Sequence, residues 1–129
     1  MTHSQVEDVL PLAPLQEGLL FLSEYDSSGR DVYVVQFVFD LRGTLDAGRM
    51  RAAAESLVAS QASLRTSFRH QRRQGSPVQV IRRSAQVPWA TLDLSGLAPQ
   101  KRQAELERLL EEDRQRRFDP ARRLLMRFT

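Results

Sequence analysis

Cysteine is absent from the 129 residues, which excludes disulfides and thiolate metal sites and suits a cytoplasmic location. Histidine is almost absent. Only His3 and His70 occur, far apart in the chain, so no Ser–His or Cys–His pair and no clustered metal-ligand set is arguable. The expectation is no catalytic residue and no metal ligand in this chain. Apolar runs are short, as at residues 18–22 and 37–39, far below the ~18 residues of a membrane span. No basic stretch followed by an apolar one opens the chain, so no secretory signal is visible. A glycine-rich phosphate loop, an internal repeat and a low-complexity tract are all missing.

What is there is ordinary in bulk and biased in detail. Hydrophobic residues make up 41% and charged residues 27%, which together place the chain among globular domains of modest size. The formal net charge is +3, yet the sequence pI is near 10.1. Lys101 is the single lysine among 19 basic residues. The high pI therefore reflects arginine, which keeps its proton at any relevant pH, more than a charge excess. We read this as compositional bias. Nucleic-acid binding is not expected, because aromatic side chains do not interleave with the basic ones; only Phe68 lies near a basic cluster.

Periodicity and breakers predict seven elements. Residues 1–9 are polar and read as frayed. Pro11 and Pro14 hold an extended entry into a helix over residues 15–23, with Leu15, Leu19, Leu20 and Leu22 as its stripe. Residues 32–42 alternate strongly, with Val35, Phe37, Phe39 and Leu41 on one face, and read as a strand ended at Gly43. Asp46 is placed to cap a helix over 47–62 with Met50, Ala53, Ala54, Leu57 and Val58 buried. Residues 64–70 and 78–82 read as a hairpin around the Gly75-Ser76-Pro77 turn. Pro99 starts a helix reaching about residue 117, striped by Leu106, Leu109 and Leu110. Glu112 with Arg116, and Asp113 with Arg117, are its expected i,i+4 pairs. Residues 124–129 read as the start of a last strand. The order α β α β β α β implies an α/β sandwich layer.

Three segments carry a resemblance. Residues 10–21 (LPLAPLQEGLLF) are similar to the opening motif of the condensation domain of nonribosomal peptide synthetases, through Leu12, Pro14, Gln16, Glu17 and Gly18. Residues 60–68 (SQASLRTSF) resemble its second motif through Leu64, Arg65, Thr66 and Phe68, although Ser60 and Gln61 stand where the family carries an Arg-His pair. Residues 118–127 resemble the stretch that leads into the family's catalytic HHxxxDG, a sequence this chain does not contain.

The resemblance implies the opening part of the N-terminal lobe of a two-lobed, chloramphenicol acetyltransferase-like sandwich. The implied parent forms peptide bonds between thioesters tethered to carrier proteins. The chain by itself is expected to be inactive and to bind no cofactor directly, phosphopantetheine arriving on the carriers. Arg65 is implied to support the catalytic loop by pairing with the aspartate of HHxxxDG, so its acidic partner is expected outside this chain. Arg69, Arg72, Arg73, Arg82 and Arg83 form a candidate docking patch for an acidic carrier. The remainder of the condensation domain is the other expected partner. Neither nucleic acid nor membrane is expected, and unpaired sheet edges favour self-association. A noncatalytic module that docks a carrier protein or tailoring enzyme is the alternative.

Overall fold

The polar opening of the chain is a strand. In the computed structural model, which describes residues 5–25, 31–70, 75–121 and 124–129, β1 covers Val6–Pro11 and pairs antiparallel with β3 (Val78–Arg82). This corrects the expectation of a frayed segment. Only Val6 is half-buried and the other five residues are exposed. Backbone pairing, not an apolar face, recruits this strand, so hydropathy alone did not reveal it.

The three-stranded sheet runs β1-β3-β2, with β2 at Thr66–Arg69. The expected hairpin is present: Thr66 faces Ile81 and Arg69 faces Val78. Its first strand starts later than expected, because Ala62–Arg65 forms a 3-10 turn that swings the chain out of the preceding helix. The outer edge of β2 receives the 118–121 segment: Phe68 N–H donates to Pro120 O at 2.8 Å and Arg69 Nε to Ala121 O at 3.1 Å.

Helix boundaries follow their caps. In α1 (Pro14–Tyr25), Pro14 occupies the first turn and Gln16 reaches back to accept from Ala13 N–H at 2.8 Å. In α2 (Ala47–Ser60), Asp46 Oδ1 accepts from Arg49 N–H at 3.0 Å, the expected cap. Pro99 starts α3 (Pro99–Gln115) as expected.

The stripes are less buried than their spacing implies. Leu20 alone is buried on α1, only Ala54 and Val58 on α2, and no residue on α3. Leu15, Leu19, Leu22, Met50, Leu57 and Leu106 are exposed. Apolar spacing marks the side of a helix that suits a neighbour; burial needs the neighbour itself.

The same reason corrects the 32–42 strand. The segment joins none of the described ladders, and Phe37 and Phe39 are 77% and 78% exposed. Gly43, at φ 104°, turns the chain after it in a backbone region that disfavours other residues. The last expected strand is reduced to a single parallel bridge between Trp89 and Phe128, whose rings stack at 5.6 Å. The element order is β α α β β α with the 3-10 turn before β2, and it differs from the order expected. The fold is mixed helix and strand. Its core is small: Ala54, Val58, Val87 and Leu124, flanked by Leu64, Ala85, Trp89 and Phe128.

Candidate functional site

Arg65 ends the 3-10 turn and points inward. It is only 7% exposed, so its charge needs partners on every side. Nε donates to Val58 O at 3.2 Å, one of the last carbonyls of α2, which the helix itself leaves unpaired. Nη1 donates to Glu7 Oε2 at 2.6 Å and to the Arg82 carbonyl. One guanidinium thereby joins α2, β1 and β3. The expectation that its carboxylate lies outside the chain is corrected: Glu7 supplies one. The sequence does not single out Glu7, because the polar character of residues 1–9 predicts no element there. The need of a buried arginine for an acid was the available signal, and Glu7 and Asp8 are the acids just before the first motif.

Arg65 lines an open cleft of about 820 Å³ together with Arg51, Ser67, Arg82, Trp89 and Leu124. Ser67 is 2% exposed and its Oγ has no hydrogen-bond partner among the described residues. Thr66 differs, since its Oγ1 donates to Ala62 O at 3.1 Å. Leu64 packs on the core and Phe68 is half-buried. The second motif therefore supplies a core anchor, a buried cation and a buried hydroxyl within four consecutive residues.

The first motif sits at the far end of β3. Leu12 is buried. Gln16 Nε2 lies 3.5 Å from Gln79 Oε1, and Gln79 Nε2 donates to Pro11 O at 2.9 Å. These amides tie the start of α1 to the sheet. Glu17 lies in the first turn of α1, where its charge suits the positive helix end. Gly18 is exposed, with open space where a Cβ would stand. The structure does not bring these residues into the Arg65 cleft.

The arginine set is divided. Arg69 stands at the Val78 end of the hairpin, whereas Arg82 faces Val6 at the opposite end of β3, followed by Arg83. Arg72 and Arg73 lie outside the described residues. His70 is exposed and its Nε2 lies 3.0 Å from Glu24 Oε2. No three His, Cys, Asp or Glu side chains gather as a metal site among the described residues. Among them, too, no helix is long and apolar enough to cross a membrane.

Arg127, from the third motif, meets the C-terminal end of α3. Arg127 Nε donates to Asp113 Oδ1 at 2.5 Å, its Nη2 reaches Asp113 O and Arg116 O, and its guanidinium lies 4.2 Å from the Phe118 ring centre. Gln36 Nε2 donates to Asp113 Oδ2 at 3.0 Å. Burial pushes the Asp113 carboxyl up. The hydrogen bonds from Arg127 and Gln36 and the charges of Arg127 and Arg116 outweigh it, and the net effect holds the group below its ordinary value. The expected pairing pattern is replaced: Glu112 pairs with Arg108, and Asp113 with Arg127 and Arg116.

A family model of the condensation domain matches residues 6–129. The chain is 40% identical over 127 residues to one of the linear gramicidin synthase proteins of Brevibacillus parabrevis, covering 98% of this chain and 2% of that protein. It is 34% identical over 124 residues to bacitracin synthase 3 of Bacillus licheniformis, covering 96% and 2%. The chain thus spans a small part of the length of these relatives, and nearly all of it aligns with them. The three motifs, the mixed fold and these matches agree: the chain belongs to the condensation-domain family of nonribosomal peptide synthetases.

Proposed function

We propose that this chain forms the opening part of the N-terminal lobe of a condensation domain with the chloramphenicol acetyltransferase-like sandwich, acting in the cytoplasm. The reaction of the complete domain joins two carrier-tethered thioesters. The acceptor amine attacks the donor thioester carbonyl, a C–N bond forms, the C–S bond breaks, and the donor's phosphopantetheine leaves as a thiol that takes up the amine proton. No HHxxxDG occurs in residues 1–129, so in this reading the chain supplies scaffold and no catalytic group. The observation that carries the reading is the buried Arg65 guanidinium on the wall of an open cleft. A carboxylate entering that cleft is stabilised by a cation already desolvated and held in place. Arg65 thereby braces the loop that carries HHxxxDG.

Residues 12–21 contribute to the floor of the donor channel. Arg69, Arg82 and Arg83 offer separate contacts for acidic carrier surfaces. Assay of amide formation with loaded carriers tests this. The complete domain is expected to turn over and residues 1–129 alone to show none. Turnover by residues 1–129 overturns the scaffold role. Carrier binding by the complete domain without amide formation identifies a noncatalytic docking module instead.

A further inference from the structure

We propose that Glu7 is a positioning residue for the condensation reaction, holding Arg65 so that Nη2 of its guanidinium stays presented to the cleft. This rests on the reading that Arg65 braces the catalytic loop.

The register of β1 sets Glu7 apart. Val6 faces Arg82 and Asp8 faces Ile81. Two successive residues of β3 are thus met by residues two apart in β1, and Glu7 is the extra one. A bulge of this kind re-aims the side chain of the inserted residue and recurs beside functional sites. Here it turns Glu7 onto Arg65 at 2.6 Å. The neighbouring acid does not share the task, because Asp8 Oδ1 accepts from the Val9 N–H at 2.8 Å.

Counting protons shows what Glu7 achieves. A guanidinium carries five N–H donors, one on Nε and two on each Nη. Nε is used by Val58 O, and Nη1 by Glu7 and the Arg82 carbonyl. Nη2 has no hydrogen-bond partner among the described residues. The fixed partners therefore hold the planar group at Nε and at Nη1, on its two opposite sides, and leave Nη2 between them for an acceptor in the cleft. Burial divides the roles as well. The Arg65 side chain is 8% exposed and that of Glu7 41%. Glu7 keeps contact with water while it pairs with a cation that is shut from it. Without that carboxylate the buried charge faces carbonyl dipoles alone, and the long side chain gains by turning out to water.

The test uses Glu7→Gln and Glu7→Asp in the complete condensation domain, with Arg65→Lys as reference, and NMR of the Arg65 Nε–H in residues 1–129. Glu7→Gln is expected to lower kcat for amide formation by about tenfold, the scale of a lost charged hydrogen bond. KM for the loaded carriers stays within about twofold, since the Glu7 carboxylate is engaged by Arg65 and not by a carrier. Glu7→Asp recovers part of kcat, and the Nε–H of Arg65 exchanges faster in Glu7→Gln than in the parent chain. Unchanged kcat in Glu7→Gln, where Arg65→Lys has lost activity, overturns the role of Glu7 and leaves that of Arg65 standing. A lowered kcat with unchanged Nε–H exchange, or with no recovery in Glu7→Asp, assigns Glu7 a merely structural part and also overturns the proposal. Full activity of Arg65→Lys overturns both readings together.

Discussion

A buried hydroxyl with nothing to bond is a cost, and Ser67 carries it. Its Oγ is shut from water and unpartnered among the described residues, a state worth about 1–3 kcal/mol of lost solvation. Nearby Thr66 avoids that cost by donating to Ala62 O. Ser67→Ala in residues 1–129 is therefore expected to raise stability by about 1 kcal/mol, read as a higher urea midpoint at unchanged slope. A fall of that size shows that the hydroxyl is satisfied, and sinks the expectation. At this scale the sequence was legible for Arg65 only through the second motif, whose resemblance implied that its guanidinium takes an acidic partner. It was silent about Glu7, because no pattern of apolar residues marks a bulge.

Between elements, the carboxylate of Asp113 ties together segments that no sheet ladder joins. It collects Arg127 from the end of the chain, Gln36 from the 31–45 segment and Arg116 from just past α3. Its pKa lies below the ordinary 3.8 in the folded chain. The stabilisation it gives is thus complete above the unfolded value and is lost as pH falls through the lower, folded one. Asp113→Asn is expected to lower stability at neutral pH and to flatten the acid limb of the stability curve below about pH 4. Urea titrations at a series of pH values check this; parallel curves for the two proteins contradict it. The expected i,i+4 pairs missed this arrangement, because Arg127 is distant in sequence and competes better from a position already desolvated. Caps fared better than pairs. Asp46 and Pro99 act within one turn of chain, so local residues decide them, and α2 and α3 start where they place them, whereas Pro14, expected in an extended entry, is the first residue of α1. The 32–42 alternation failed as a strand for the opposite reason: a strand is a relation between two segments, and its own pattern names only one of them.

For the whole molecule, family and helix positions could be read from motifs, whereas closure of the layer could not. Closure depends on what covers each apolar face. Four buried apolar residues form the core cluster, while Val32, Val35, Phe37 and Phe39 are each at least 70% exposed on one extended segment. Phe37 and Phe39 stack at 6.4 Å along one face of it, so the exposed surface is contiguous, of the kind that drives association. Extended backbone outside a ladder also offers free edge hydrogen-bonding groups, and charges that would discourage pairing occur only near its ends, at Asp31 and at Asp40 with Arg42. Residues 1–129 are therefore expected to self-associate, with a sedimentation coefficient that rises with concentration. Phe37→Lys with Phe39→Lys places two like charges at the centre of the segment and should return the chain to a monomer, with helix content unchanged by circular dichroism. The controlling quantity is the apolar face and not the net charge, so added salt should strengthen association of the parent chain or leave it unchanged. A parent chain that sediments as a single monomer across the concentration range shows that this face is covered in solution, and the expected association fails with it.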